Sequence, residues 1–428
     1  MKKIILAFAI CFGINTTASA QLFENFFEDA TLRIDYIFAG NHEHQEIYLD
    51  ELNKTPRWAG RKHNLTELPL EGNGQITVKD KETKQIIYRH SFSTLFQEWL
   101  VEEEATRLSK SFENPFQIPY PKNSIIVEVK LLDTHHNTSC SFTHEIDPKD
   151  PLIVHRGFSY QTPSKILISN GDLANCIDIV IIAEGYTKEE METFYNDAQI
   201  ATESIFEHEP FKKYRDKFNI TAVACDSKDS GVSIPQNNIW KNTALSSHFN
   251  TFYSDRYLTT LHLKELHNTI AGIPYEHIII LANTSEYGGG GIYNSYTLTT
   301  AHHRDFRPVV VHEFGHSFGG LADEYYYDDE YEPQYPTDTE PWEKNITTLK
   351  DFNSKWKDLI KEDTPIPTPL STDKNEIYNK VGLFEGGGYS SKGVYRGAQE
   401  CRMKINEAPK FCPVCQDALK DLIEFYVK

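Results

Sequence analysis

The spacing of apolar residues divides the chain into a first part that favours strands and a second part that alternates strands with helices. Within residues 21–165, the segment 32–38 places apolar side chains at every second position, and this period of two predicts a half-buried strand. A polar turn at 80–83 separates two further strand-like segments and predicts a hairpin. We therefore expect an N-terminal β-sandwich, with one helix over about 98–108.

The pattern changes beyond about residue 170. The segment 177–183 is a continuous apolar run, which is typical of a buried parallel strand. A capping-box sequence at 187–190 predicts the start of a helix, and further strand-like runs follow at 218–224 and 277–282. These elements predict an α/β domain over 170–428, so the expected fold class is α+β and multidomain.

The strongest chemical signal is the HExxH sequence at 312–316. On a helix, His312 and His316 lie on one face, one turn apart, so two neutral imidazoles can bind one tetrahedral Zn²⁺. Glu313 lies beside the first histidine, where it can take a proton from the metal-bound water and give it to the leaving amine. A glycine pair at 319–320 suits the end of such a helix.

The residues after the glycine pair offer a third metal ligand. This arrangement is similar to that of the metzincins, zinc enzymes with the pattern HExxHxxGxxH or HExxHxxGxxD. Counted from Gly319, the ligand position is Ala322, which cannot bind a metal. If Gly320 is the turning glycine, the third ligand is Asp323, which we take as the candidate, with Glu324 as its rival.

The whole stretch 312–325, HEFGHSFGGLADEY, resembles the M64 peptidases, the IgA-peptidase family of gut bacteria. Further segments that carry the resemblance are AEGYT at 183–187, EGGGY at 385–389, GVYR at 393–396, CRM at 401–403 and FCPVC at 411–415. The resemblance covers the chain from about residue 170, and members of this family often carry a β-rich domain before that part. It implies a zinc metalloendopeptidase with a metzincin-like fold, but it does not identify immunoglobulin as the substrate.

The C-terminal part contains candidates for two further roles. Met403 is the only methionine placed to form the turn that metzincins have beneath the zinc, because Met1 belongs to the leader and Met191 lies far upstream. Tyr395 and Arg396 precede it, and a phenol or a guanidinium can stabilise the oxyanion of the tetrahedral intermediate. We take Tyr395 as the candidate catalytic residue.

Four consecutive glycines at 288–291 follow the third strand of the α/β part. Glycine allows another chain to approach the backbone closely. In zinc peptidases an edge strand before the active helix pairs with extended substrate. The glycine segment therefore has two interpretations, a substrate-pairing strand or a flexible hairpin without such a role.

Residues 1–20 have the sequence of a signal peptide. Lys2 and Lys3 precede an apolar core, and Ala18-Ser19-Ala20 forms a cleavage site. The apolar core is too short to span a membrane, and no later run is long and apolar enough to do so. We expect an exported bacterial protein, secreted or periplasmic, that begins at Gln21.

Export changes the interpretation of the cysteines. Six remain after cleavage, and an even number in an oxidising compartment permits disulfides. Cys412 and Cys415 form a CxxC pair without the surroundings of a thioredoxin or a zinc knuckle. A structural disulfide among Cys401, Cys412 and Cys415 is the preferred interpretation.

The chain is acidic, with a formal net charge of −19. Such a surface disfavours nucleic acid and anionic lipid as partners. The acidic, tyrosine-rich segment 325–340 has carboxylates that Ca²⁺ could use, but it lacks an EF-hand pattern, so a solvated loop is preferred.

The sequence therefore predicts a secreted zinc metalloendopeptidase that acts on proteins or peptides, with Zn²⁺ held by His312, His316 and Asp323. Two alternatives remain open. One is a binding or adhesion protein with an inactive peptidase-like domain, although the intact Glu313 argues against it. The other is a zinc hydrolase of a non-peptide bond, such as an amide of the cell envelope. The oligomeric state is not predicted.

Overall fold

The computed structural model describes residues 23–327 and 335–427. The predicted signal peptide, residues 1–20, lies outside the described residues. So does the middle of the acidic, tyrosine-rich segment.

The N-terminal part consists of two four-stranded sheets. The strands are β1 (Phe27–Gly40), β2 (Gln45–Thr55), β3 (Gly74–Asp80), β4 (Ile86–Phe92), β5 (Lys110–Pro121), β6 (Ile125–Leu132), β7 (Thr138–Ile146) and β8 (Val154–His155). One sheet has the order β5-β1-β2-β8 and the other β4-β3-β6-β7. Their apolar side chains belong to one core, so the expected N-terminal β domain is present. The expected helix is shorter than predicted, since α1 (Leu95–Leu100) is followed by a separate 3₁₀ turn.

Strand β1 is buried on both faces, and the prediction of a half-buried strand is wrong. Tyr36 and the other apolar residues of the alternation point into the core, as predicted. The opposite face contains Arg33 and Asp35, which are 1% and 0% exposed and form an ion pair of 2.8 Å. Arg33 Nη2 also donates to Asn268 Oδ1 at 2.8 Å. The C-terminal part therefore covers the face that the sequence leaves to solvent.

The second part is built on a six-stranded mixed sheet with the order β13-β14-β12-β10-β11-β9. Its strands are β9 (Ser164–Ile168), β10 (Ile177–Glu184), β11 (Phe218–Val223), β12 (His277–Ala282), β13 (Gly289–Ile292) and β14 (Tyr296–Thr300). The four inner strands are parallel, and the two edge strands run antiparallel to their neighbours. All eight residues of β10 are buried, as its continuous apolar run predicts.

Alternate residues of β10 face different layers. Ile179 and Ile181 pack with helices α2 (Met191–Phe206), α4 (Phe306–Ser317) and α6 (Pro413–Val427). Val180 and Ile182 belong to the core of the N-terminal sheets, together with residues of α3 (Leu263–Thr269). The structure is therefore mixed α/β with several sheets, and the N-terminal domain packs directly on the central sheet of the second part.

A further, small sheet lies between α4 and α6 in the sequence. It has the order β15-β18-β16, with β17 paired to β18. The elements of this region are β15 (Tyr326–Tyr327), β16 (Ile346–Thr347), β17 (Phe384–Gly387), β18 (Tyr389–Arg396) and α5 (Lys374–Asn379). Within 23–327 and 335–427, every helix is too short or too polar to cross a bilayer.

Glu184, at the carboxyl end of β10, fixes the long loop between β11 and α3. It is fully buried and accepts hydrogen bonds of 2.6–2.9 Å from the side chain of Thr243, the amide of Leu245 and both the amide and hydroxyl of Ser247. The same loop contains Tyr257, whose hydroxyl donates to Glu98 of α1. This one loop therefore links the central sheet to the N-terminal domain.

A buried acid at the other end of β10 predicts a pH-dependent stability. Asp178 is 3% exposed, and burial raises its pKa from 3.8 to about 7 although Asn219 Nδ2 donates to it at 3.0 Å. Because the pKa is higher in the folded state, protonated Asp178 contributes to the free energy of unfolding. This contribution is complete below about pH 4 and is lost as the pH rises through about 7. Asp178→Asn keeps the hydrogen-bond acceptor and removes this loss. As the pH rises between these values, the free energy of unfolding of Asp178→Asn should increase relative to that of the wild type. The increase should be on the order of 4 kcal/mol at most.

Urea unfolding at several pH values measures this difference. Asp216→Asn, an exposed acid in the same region, is the matched control and should follow the wild type throughout. If the free energy of unfolding changed with pH in the same way for Asp178→Asn and the wild type, the prediction would be contradicted.

Candidate metal centre and active site

Helix α4 presents the HExxH residues to solvent because its apolar side chains anchor its other face. Val310, Val311 and Phe314 lie in the core beneath the six-stranded sheet, whereas His312, Glu313 and His316 are only half-buried. The repeat of the helix places the two histidines side by side. Their ring centroids are 4.8 Å apart.

The hydrogen bonds of the two imidazoles fix the direction of their lone pairs. His312 Nδ1 lies 2.9 Å from the carbonyl oxygen of Arg402, and His316 Nδ1 lies 2.6 Å from that of Leu321. A carbonyl can only accept, so each Nδ1 carries a proton, and in the neutral ring, the form that binds a metal, each Nε2 has a free lone pair. The two Nε2 atoms are 3.1 Å apart. Two acceptors therefore face each other at a distance that a shared cation would explain.

Asp323 adds a third acceptor to the same point. Its Oδ1 lies 3.0 Å from His312 Nε2 and 3.2 Å from His316 Nε2, and it is buried without a hydrogen-bond donor. The other oxygen, Oδ2, accepts from the hydroxyl of Tyr389 at 2.5 Å. Two imidazoles and one carboxylate oxygen are the ligand types of a catalytic zinc site with one open position. The residues present therefore fit a Zn²⁺ ion, and they form one of the groups able to hold a metal.

The turn after α4 directs Asp323 to the histidines. Gly320 has φ +55°, and a Cβ there would lie 2.7 Å from the ring of Trp342, so this position requires glycine. Gly320, and not its neighbour, is thus the turning residue. Asn345 then holds the chain in place by accepting from the amide of Ala322 and donating to its carbonyl, both at 2.8 Å.

Met403 lies beneath the histidine pair. A Cβ on Gly315 would be 2.6 Å from Met403 Sδ, so the glycine between the two histidines leaves room for the sulfur. The carbonyl of Met403 accepts from the amide of Glu324 at 2.8 Å. The segment 401–403 therefore contacts both α4 and the loop that contains Asp323.

Glu313 projects towards the glycine-rich edge strand β13. A Cβ on Gly289 would lie 2.8 Å from Glu313 Oε1, and one on Gly291 would lie 2.3 Å from the carbonyl oxygen of Glu313. Burial raises the pKa of Glu313, which the nearby histidines partly offset. A carboxylate with a raised pKa suits a group that accepts a proton and then returns it near neutral pH.

Comparison with known families decides the classification. The family described as IgA Peptidase M64 matches residues 166–380 and 372–423, and the description Peptidase M64 N-terminus matches residues 22–143. The chain belongs to the IgA peptidase M64 family. Among curated proteins, no relative matches it.

Membership of the M64 family supports a peptidase hydrolase of the metallopeptidase type, and it implies a protein substrate. The resemblance seen in HEFGHSFGGLADEY is thereby confirmed at the level of the family.

In this M64 peptidase, the role of Tyr395 as a catalytic residue stays a prediction. Tyr395 lies in β18 opposite Glu385 and Thr347, and burial and the charge of Glu385 raise its pKa. Within the described residues, no hydrogen bond or ion pair joins it to His312, His316 or Asp323. Tyr389, which sequence reasoning missed, contacts Asp323 instead. The sequence signal that could have drawn attention to Tyr389 is the run of three glycines before it. Such a run indicates a tight turn, and Tyr389 itself has the unusual φ of +64°.

The edge strand of the M64 peptidase is partly covered on its outer side. Tyr257 forms a parallel bridge with Gly289, and a Cβ on Gly290 would lie 2.8 Å from the Tyr257 ring. The pairing of β13 with extended substrate stays a prediction. Because Tyr257 already pairs with Gly289, the prediction applies to the rest of the strand, residues 290–292.

The expected disulfide is not formed. Cys401, Cys412 and Cys415 are all free and buried, and Cys401 Sγ lies 3.7 Å from Cys415 Sγ, whereas a disulfide requires about 2.05 Å. The side chain of Glu324 lies among these cysteines and not at the histidines, with Oε1 3.0 Å from Cys415 Sγ. The two neighbouring acids thus point to different groups.

The close approach of β13 to α4 predicts that Gly291→Ala destabilises the protein. The added methyl group would meet the Glu313 carbonyl at 2.3 Å and His316 Cβ at 2.9 Å, so strand and helix must separate. Overpacking of this kind costs about 1–3 kcal/mol. A thermal unfolding scan should show a lower midpoint for Gly291→Ala.

Gly387→Ala is the matched control, because a Cβ there meets no atom closer than 3.5 Å. It should unfold close to the wild type. Equal midpoints for Gly291→Ala and Gly387→Ala would show that the glycine is not required for this packing.

Proposed function

We propose that this protein is an exported zinc metalloendopeptidase that hydrolyses internal peptide bonds of protein substrates. The observation that carries the proposal is the convergence of His312 Nε2, His316 Nε2 and Asp323 Oδ1 within 3.2 Å of one another, without a donor between them. A bound cation accounts for all three acceptors at once, since it compensates their lone pairs and the charge of the carboxylate. The family supports peptide hydrolysis as the reaction.

In this proposal His312, His316 and Asp323 hold the zinc, and Glu313 performs the proton transfers. When bound, Zn²⁺ polarises the scissile carbonyl and lowers the pKa of a water molecule. Glu313 accepts the proton of the attacking water and returns it to the leaving amine. The Arg402 and Leu321 carbonyls keep both imidazoles in the tautomer that exposes Nε2. Tyr389 keeps Asp323 turned towards the histidines through its bond to Oδ2.

The metzincin-like arrangement is also part of the proposal. It is supported by the turn at Gly320, by Asp323 three residues later, and by Met403 beneath the histidines. The stretched pattern HExxHxxxGxxD follows from these positions. We propose domain limits of 21–165 and 170–428, which the two separately matched regions support. Export is supported by the leader-like sequence of residues 1–20.

The test of the mechanism is Glu313→Gln. The amide is similar in size to the carboxylate but cannot accept and return a proton, so hydrolysis should fall by about 10²–10⁴-fold. The metal ligands are untouched, so the zinc content should equal that of the wild type. Cleavage of a denatured protein substrate, followed by mass spectrometry of the products, measures the first quantity, and elemental analysis measures the second.

Glu286→Gln is the matched control, because Glu286 is an exposed acid just before β13. It should cleave at the wild-type rate. Full activity of Glu313→Gln would overturn the proposed proton transfers. An inactive wild type that contains zinc would favour a binding protein.

A pair of tyrosine variants separates the two candidate roles near the centre. If Tyr395 donates to the oxyanion, Tyr395→Phe should lower kcat by about 10²–10³-fold. Tyr389→Phe removes a hydrogen bond to a ligand, so it should weaken zinc affinity by about 10–100-fold while the zinc-loaded variant keeps a kcat near that of the wild type. Competition with a fluorescent chelator measures the affinity. An unchanged kcat in Tyr395→Phe would remove Tyr395 from the catalytic residues.

A further inference from the structure

A second group of potential metal ligands lies behind the candidate catalytic centre. It consists of Glu324, Cys401, Cys412 and Cys415. Their ligand atoms all lie within 4.8 Å of one another, and all four residues are buried. The segments that supply them are the loop after α4, the segment next to Met403, and the start of α6.

The distances within this group suit a tetrahedral ion. Two sulfurs bound at about 2.3 Å to one Zn²⁺ lie about 3.8 Å apart at the tetrahedral angle, and Cys401 Sγ and Cys415 Sγ are 3.7 Å apart. Glu324 Oε1 lies 3.0 Å from Cys415 Sγ and 4.0 Å from Cys412 Sγ. Cys412 and Cys415 have the C-x₂-C spacing that structural zinc sites use.

The sulfur of Cys401 is placed as a hydrogen-bond acceptor, as the sulfur of a metal ligand is. Its sulfur accepts from the amide of Cys412 at 3.1 Å and from that of Met403 at 3.5 Å. Backbone amides that donate to sulfur stabilise negative charge on it. A metal ion bound by this sulfur would replace its proton, and the two amides would then stabilise the metal-bound thiolate.

Glu324 supplies the independent observation. It is 0% exposed, and although Asn345 Nδ2 donates to Oε1 at 3.1 Å, Oε2 is buried without a hydrogen-bond partner in the described part of the chain. A buried carboxylate oxygen without a donor is costly. A disulfide would use two of the three cysteines and leave the third thiol and this oxygen unexplained. One metal ion would bind all four side chains.

We propose that Glu324, Cys401, Cys412 and Cys415 form a second, structural metal site of the closed, four-coordinate zinc class. Three thiolates and one carboxylate occupy all four positions, so this site binds metal without catalysing a reaction. It ties the loop next to Asp323 and the segment next to Met403 to helix α6. This inference does not depend on the proposed peptidase activity.

The test is the zinc content of the full chain after reconstitution with Zn²⁺ alone. The wild type should bind about two ions, and His312→Ala/His316→Ala should keep about one. X-ray absorption of that double variant should show zinc–sulfur distances of about 2.3 Å. In the same variant, iodoacetamide should modify Cys401, Cys412 and Cys415 only after a chelator has removed the metal.

Cys412→Ser/Cys415→Ser should lose the sulfur-bound ion and keep about one ion with nitrogen and oxygen ligands. Cys140→Ser is the matched control, because Cys140 is half-buried in β7 and far from this group in the sequence. It should bind as much zinc as the wild type. If the cysteine variant does not fold, the histidine variant still decides the question.

The proposal is overturned if folded His312→Ala/His316→Ala binds no zinc, if its zinc has no sulfur ligand, or if peptide mapping finds a disulfide among the three cysteines. A failure of the catalytic proposal looks different. In that case the wild type and the histidine variant would contain the same total amount of zinc, about one ion, and all of it would be sulfur-bound.

Discussion

The candidate catalytic centre depends on two hydrogen bonds from imidazole Nδ1 atoms to main-chain carbonyls. His316 donates to Leu321, just beyond its own helix, and His312 donates to Arg402, 90 residues further along the chain. If either carbonyl moved, the ring could rotate or change tautomer, and its Nε2 lone pair would no longer face the other ligands. The HExxH helix alone therefore does not make the site. The site exists because two other segments hold their carbonyls in place.

Hydrogen bonds from neighbouring buried polar groups keep the two carbonyl-bearing segments in position. Asn345 holds the main chain at Ala322 through two hydrogen bonds, and the amide of Glu324 donates to Met403. Buried polar groups must be paired, and here the pairing also fixes the geometry. Asp323 and Glu324 are adjacent, so their side chains leave the chain in different directions. One reaches the histidines, and the other reaches the three cysteines, of which Cys401 precedes Arg402 directly.

Local sequence signals predicted the parts of the structure that depend on local contacts. The period of two in β1, the apolar run of β10 and the spacing of His312 and His316 each describe neighbours along the chain. The count from the glycine pair also led to Asp323, because a turn of fixed length delivers a residue at a fixed offset. Tyr389 was missed because its contact with Asp323 spans 66 residues. Its backbone conformation depends on the small sheet around β18, which is not visible in local periodicity.

The same limit explains the errors about burial and cysteine pairing. The outer face of β1 seemed exposed, yet Asn268, 235 residues away, covers Arg33. The expected disulfide came from counting cysteines in an oxidising compartment, and counting cannot show that a carboxylate lies among them. Both errors arise where residues distant in sequence share one buried site.

The N-terminal domain is more than an attached module. Val180 and Ile182 of the central strand share a core with the N-terminal sheets, and this apolar face would meet water if those sheets were absent. The loop held by Glu184 contacts Glu98 of α1 through Tyr257, and the ring of Tyr257 packs on β13. That strand in turn lies against Glu313. A continuous series of contacts therefore links the N-terminal domain to the proposed proton acceptor. Although this domain contributes no residue to the His312, His316 and Asp323 group, it contributes to the shape of the candidate active site.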